Sequence, residues 1–439
     1  MESRDRYPDA LRAGALLVVV LGHWVATLPR LVDGRLAGTD HLLATWDAAG
    51  VITWVVQVVP LFVFVSAAVS APGVARRLDA GQSQLRWWAR RALGLARPAV
   101  TYLAVLAALA LLAMFTGGRL LEAFNTSLTI HLWFLLMLLG VQALLPLAVR
   151  ADRRFGLGAV AALILVAAAV DLLRAGLRGP ADLLELGARV RDSAPGAGWV
   201  NMLAVWLLPQ QLGIAWKQGR FGGPRAGLAL LALGVAWLAA AIASGYPVAM
   251  VGVELAGNNM LPPTLALVGV MWLQLGLVLL CEAPARRFLE RHRPARVVAV
   301  LSALGMPLYL WHKLAELPAA WLGERLGAPI DAGDPGEPGF WRGRLVWITL
   351  CALVVAPVMA AVVWFEMRRR RDLEAATGTA VVIAGGIALF GGIGVALALG
   401  VVPGSLVGLA GVAAASWLLR AHPQQPARLP LCEGELGLR

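Results

Sequence analysis

Apolar windows of roughly 17 to 25 residues recur along nearly the whole chain, separated by short stretches rich in Gly, Pro and charge, and each is long enough to cross a bilayer as a helix. The pattern predicts about twelve such helices, near 11–28, 50–70, 92–115, 128–149, 156–175, 199–217, 226–244, 262–281, 297–321, 344–365, 378–399 and 402–419. The longest connections, 174–198 and 322–343, carry Gly, Pro and acids such as Asp182, Glu185, Asp331, Asp334 and Glu337, and predict at most a short interfacial helix. The stretch 421–439, with Pro423, Pro426 and Pro430, predicts a disordered tail, and no soluble domain is expected.

Composition strengthens the membrane assignment. Hydrophobic residues make up 59% of the 439 positions, and the mean hydropathy is +0.73. The net charge of +12 comes from arginines in the connections. With the N-terminus inside, the inner segments hold Arg76, Arg77, Arg86, Arg90, Arg91, Arg150, Arg153, Arg154, Arg286, Arg287, Arg291, Arg293, Arg296 and Arg368 to Arg371. That placement gives the inner side roughly 27 of the 38 basic residues, the bias that sets orientation, so both termini are expected in the cytoplasm and the chain in the cytoplasmic membrane. Arginine against anionic lipid accounts for the charge without any nucleic acid. Cys281, Cys351 and Cys432 suggest no disulfide framework, and no metal site is predicted. The first window begins with Arg12 and lacks a small-residue cleavage site, which predicts a retained anchor.

Two ionisable residues in that first window carry the most information. Arg12 and His23 are eleven apart, so on a helix they differ by about 20° in azimuth and about 16 Å in height. They share one face, with Arg12 at one mouth and His23 near mid-membrane, where a titratable group usually marks function. Asp9, three residues before Arg12, is placed to pair with it. Imidazole near neutral pH can take a proton from a hydroxyl, given a partner for its other nitrogen. The structural alternatives are an interfacial anchor for Arg12 and cross-helix packing for His23.

Further candidates lie on other windows. The ninth contains Pro307, Tyr309, Trp311, His312, Lys313 and Glu316; Pro307 is expected to kink it and free carbonyls, and Glu316 at i+4 to orient His312. His131 and Trp133 open the fourth window, where an interfacial aromatic belt competes with a role in acceptor binding. Glu254, Asn258 and Asn259, ahead of Pro262-Pro263-Thr264, suit a polyhydroxyl ligand, although a helix-capping loop uses the same residues.

Taken in order, Asp9-x-x-Arg12 and His23, Pro60-Leu61-Phe62-Val63-Phe64-Val65-Ser66, Arg90-Arg91 before Arg97-Pro98, His131-Leu132-Trp133-Phe134-Leu135 and Tyr309-Leu310-Trp311-His312 resemble the acyltransferase type 3 family of integral membrane enzymes. The resemblance covers about residues 5–367, ending near Trp364-Phe365-Glu366, and Asn259-Met260-Leu261-Pro262-Pro263-Thr264 looks like a variant common among actinobacterial members. It implies a ten-helix core to which 378–419 adds two helices. It also implies a cytoplasmic acyl-coenzyme A cosubstrate, no permanently bound cofactor, and transfer of an acyl group, often acetyl, to a hydroxyl of a glycan, lipid-linked sugar or small molecule. Arg12 and His23 match the family's essential arginine and histidine.

Joined to the physics of the bundle, this gives a specific expectation. Coenzyme phosphates stay at the arginine-rich mouth, gripped by Arg12 with Arg90, Arg91 and Arg97. His23 acts as base, and Trp133, His131, Tyr309, His312, Glu316 and Asn259 form a secondary or acceptor lining. A proton-coupled transporter is the main alternative, because Gln57, Gln142, Gln210, Gln211 and Gln274 lie within spans, where polar groups can line a path. A noncatalytic scaffold would need neither His23 nor Arg12.

Overall fold

A computed structural model of the protein describes residues 5–46, 48–252, 257–368 and 374–421. Glu254 and the tail beyond residue 421 lie outside the described residues. The chain forms α1 (Tyr7–Ala26), a hairpin of β1 (Thr27–Val32) and β2 (Arg35–His41), then α2 (Leu42–Thr45), α3 (Ala49–Val56), α4 (Val59–Asp79) and α5 (Gln84–Thr116). Next come α6 (Arg119–Ala123), α7 (Ser127–Ile130), α8 (Trp133–Ala143), α9 (Leu145–Phe155), α10 (Leu157–Ala175), α11 (Leu186–Asp192), α12 (Asn201–Lys217) and α13 (Gly223–Ala243). The remainder is α14 (Ala266–Leu289), α15 (His292–Trp311), α16 (Glu316–Leu326), α17 (Phe340–Arg368), α18 (Thr379–Leu399) and α19 (Gly404–Leu418).

The protein is an all-α polytopic membrane protein. Each predicted window coincides with a helix or a broken helix, in order. Among the described residues nine helices are long and apolar enough to cross a membrane, and the segment Ser127–Ala143 with Leu145–Phe155, bent by 49°, makes a tenth. The other two expected spans, α12 with 17 residues and α19 with 15, are shorter.

The first window changes from helix to strand before its apolar run ends. The hydropathy pattern predicts a helix to Leu28, but α1 stops at Ala26 and a strand begins at Thr27. Asp33 and Gly34 turn the chain at φ of 51° and 72°, with Val32 opposite Arg35. Two consecutive positive φ values are what a tight antiparallel hairpin needs, and Asp-Gly supplies them. A register shift between Arg30 and Leu31 bends the ribbon. Arg30 then clamps it by pairing with Asp40 at 2.6 Å and with the Gly333 carbonyl at 3.0 Å, while the Leu31 N–H donates to Asp331 at 2.7 Å.

Small residues set the closest helix contacts. A Cβ on Gly234 of α13 would sit 2.5 Å from the Leu273 nitrogen of α14, and one on Gly276 would sit 2.6 Å from the Leu231 nitrogen. Dispersion and close backbone approach hold helices together where lipid removes the hydrophobic driving force. The same device joins α18 to α19, where Gly392 faces the Gly408 carbonyl, and docks the pair on α5, where Gly386 lies against Trp88. Val382, Leu389 and Ile393 of α18 belong to the same apolar cluster as Leu103 of α5 and Leu135 of α8. Of the five glycines in α18, Gly391 and Gly394 have open space beside them and take no part in this packing.

Candidate active site

The face of α1 that carries Arg12 and His23 lines a cavity of about 570 Å³. Ala13, Leu16, Val19, Gly22 and Ala26 continue that wall, so the cavity follows the helix from its N-terminal mouth to the hairpin. The helix rise puts His23 about 16 Å along it from Arg12. Arg12 donates to Asp9, as the three-residue spacing predicted.

His23 does not stand alone. Its Nδ1 lies 2.8 Å from Nε2 of His312, and the two rings stack with centroids 5.0 Å apart. Nδ1 of His312 lies 2.7 Å from the Tyr309 carbonyl oxygen and 3.3 Å from that of Leu308. A carbonyl oxygen only accepts, so the His312 proton is on Nδ1 and its Nε2 is bare in the neutral ring. The proton in the His23–His312 bond therefore belongs to Nδ1 of His23, which leaves Nε2 of His23 with its lone pair free. Among the described residues nothing hydrogen-bonds that nitrogen, and the ring forms part of the cavity wall.

The ninth window supplies this partner by breaking. It was expected to run to residue 321, whereas α15 stops at Trp311 and residues 312–315 form a turn before α16. The turn leaves the Tyr309 carbonyl available to the His312 ring, a service the sequence had given to Pro307. Glu316 was expected to orient His312, and it does not. It pairs with Lys313, whose Nζ is 2.7 Å from both carboxylate oxygens and 3.1 Å from the Thr27 hydroxyl. Glu316 is fully buried and Lys313 nearly so, and mutual neutralisation is what makes two such charges tolerable there. Thr27 also donates to the His23 carbonyl at 3.0 Å, Trp24 donates to the His312 carbonyl at 3.1 Å, and Arg344 holds the Thr27 and Ile330 carbonyls.

The other expected site residues divide. His131, Trp133 and Tyr309 line the cavity. The His131 ring packs edge-on against Tyr102, Tyr309 and His312, and the Tyr309 hydroxyl is spent on the His131 carbonyl. Arg90 is exposed, Arg91 donates to Ser70 over the ring of Trp87, and neither they nor Arg97 line the cavity, so Arg12 alone of the four proposed donor ligands is on its wall. Asn259 is also away from it. Its amide donates to the Pro247 and Ala249 carbonyls at 2.6 and 3.0 Å and accepts from Thr264 at 2.6 Å, which makes it a loop fastener. Of the five glutamines considered for a permeation path, Gln57 lines this cavity.

Sequence reasoning missed His41, Trp46, Thr53 and Trp341, which line the hairpin end. His41 follows from the hairpin, and the Asp33-Gly34 dipeptide was the signal available for it. Burial, and then the Lys313 charge, push the His41 pKa down to about 4. Its Nδ1 can therefore accept the Leu43 N–H, at 3.2 Å, near neutral pH.

A family model described as an acyltransferase domain, of the acyltransferase 3 type, matches residues 5–364. The chain belongs to the acyltransferase type 3 family. This acyltransferase accordingly has its family domain over helices α1 to α17, with α18 and α19 following the match. No curated relative and no solved structure matches the chain.

Proposed function

We propose that this membrane acyltransferase moves an acyl group from cytoplasmic acyl-coenzyme A to a hydroxyl of a glycan, lipid-linked sugar or small molecule, with His23 as general base. The observation that carries the proposal is the hydrogen-bond chain from the Tyr309 carbonyl through His312 to His23, which leaves Nε2 of His23 open to the cavity.

The chemistry follows from that lone pair. The acceptor O–H gives its proton to Nε2 as its oxygen attacks the thioester carbonyl carbon. The resulting imidazolium is stabilised by donation from Nδ1 to His312. Collapse of the tetrahedral intermediate breaks the C–S bond, and the departing thiolate takes the proton from Nε2, so the coenzyme leaves as a thiol. Arg12, about 16 Å from His23 along the helix, holds a phosphate or the polar end of the pantetheine arm at the mouth in this reading. Phosphates then stay out of the hydrocarbon and only the thin arm enters.

The test is thiol release and donor binding heat for protein in lipid nanodiscs with acyl-coenzyme A. His23→Ala is expected to remove release and keep binding; Arg12→Ala is expected to weaken binding at least tenfold. Release that persists in folded His23→Ala protein rules out the base assignment.

A further inference from the structure

The cavity continues past His23. Between His23 and the hairpin its wall comes from the end of α1, from α2 and α3, and from the start of α17. Val25, Leu42, Trp46, Ile52, Val56 and Trp341 make this end apolar, and Trp46 and Trp341 stand edge to face 6.4 Å apart.

Thr53, Gln57 and Nδ1 of His41 are engaged, which leaves a few ring nitrogens of His41, Trp46 and Trp341 as the polar groups open to a ligand at this end. Thr53 donates to the Gly50 carbonyl and accepts the Met250 N–H at 2.7 Å. The Gln57 amide nitrogen donates to the Met250 carbonyl at 3.1 Å and contacts the Met260 sulfur at 3.3 Å. Nδ1 of His41 takes the Leu43 N–H. A polyhydroxyl ligand pushed into this space would find few partners for its hydroxyls, and burying a hydroxyl unpaired is unfavourable. Water fares little better in an apolar cavity.

We infer that this end of the cavity receives the acyl chain of the donor, and that the preferred donor carries a chain longer than acetyl. The inference rests on the proposed function. A thioester held at Nε2 of His23, with its coenzyme at Arg12, has its carbonyl substituent directed along the same cavity away from Arg12. The atoms it meets are the apolar side chains of Val25, Leu42, Ile52 and Val56. An acetyl group fills little of that space. Each methylene added to the chain removes apolar surface from water, equivalent to about fourfold in affinity at the usual transfer value, until the space is full.

The experiment is a chain-length series of acetyl-, butyryl-, octanoyl- and palmitoyl-coenzyme A with the full-length protein in nanodiscs, read as kcat/KM for thiol release and as binding heat. The expected result is a rise in kcat/KM of at least tenfold from acetyl to octanoyl. Ile52→Trp, and separately Leu42→Trp on another part of the wall, should reduce the octanoyl-to-acetyl ratio at least fivefold. A ratio within one variant is independent of how much of it folds, and the wild-type series stands without either variant. A flat series overturns the inference while leaving the acyl-transfer proposal standing. So does a preference that neither substitution alters, which marks partition of the chain into lipid. Absence of His23-dependent release from every donor overturns both.

Discussion

Nδ1 of His23 and Nε2 of His312 are 2.8 Å apart although 289 residues separate them in the chain. That single bond decides which nitrogen of His23 is free to accept a proton, because His312 is itself fixed by the Tyr309 carbonyl. A lone histidine in a membrane helix would be ambiguous in tautomer; this pair is not.

Replacing His312 with Ala removes the acceptor for the Nδ1 proton. Thiol release is expected to fall about a hundredfold, the usual scale for disabling general-base catalysis, with donor binding heat preserved. His312→Gln, whose amide oxygen can still accept, should recover part of the loss. Wild-type rates in His312→Ala would show that the pair has no role in catalysis.

Glu316 and Lys313 neutralise each other in a buried site. Glu316→Gln strands an ammonium there and is expected to destabilise the protein by about 3 to 5 kcal/mol. Combining Glu316→Gln with Lys313→Met should restore much of that. Thermal unfolding in detergent completes the double-mutant cycle, and additive losses would contradict the coupling.

His41 has a folded-state pKa of about 4 against an ordinary value of 6.5. The neutral ring is therefore favoured by folding. Its contribution is fully present above pH 6.5 and is lost as the pH falls toward 4, amounting to about 2 kcal/mol by pH 5. Comparing wild type with His41→Asn between pH 7 and pH 5 isolates this term. The wild-type midpoint should drop more than that of the variant, and parallel curves would remove His41 as the cause.

Gly234 has no room for a side chain, since a Cβ there lies 2.5 Å from the Leu273 nitrogen. Gly234→Leu should separate α13 from α14 and abolish a stable, monodisperse protein in detergent. Gly94, with open space around it, is the matched control and should accept Ala with little change on size-exclusion chromatography.

Much of this was legible in the chain because it depends on local spacing. Twelve apolar windows located the helices, and the eleven-residue step from Arg12 to His23 put both on one wall, since helix geometry needs nothing beyond sequence distance. The hairpin at 27–41 was also written locally, in Asp33-Gly34, but a window counted for hydropathy ran through Leu28 and hid it. For Asn259 the amide suited a ligand and a loop equally, and only the Pro247 and Ala249 carbonyls distinguish them.

The sequence by itself determined an all-α membrane bundle, its family and the shared helix face of Arg12 and His23, because periodicity and length act within single helices. Only the tertiary structure decided what those residues touch. It brought the broken end of α15 against α1, gave His23 its partner in His312, turned Glu316 toward Lys313 and left Arg12 as the single expected donor ligand on the cavity wall. Contacts of this kind depend on the relative placement of helices far apart in the chain, which side-chain packing fixes and hydropathy does not encode.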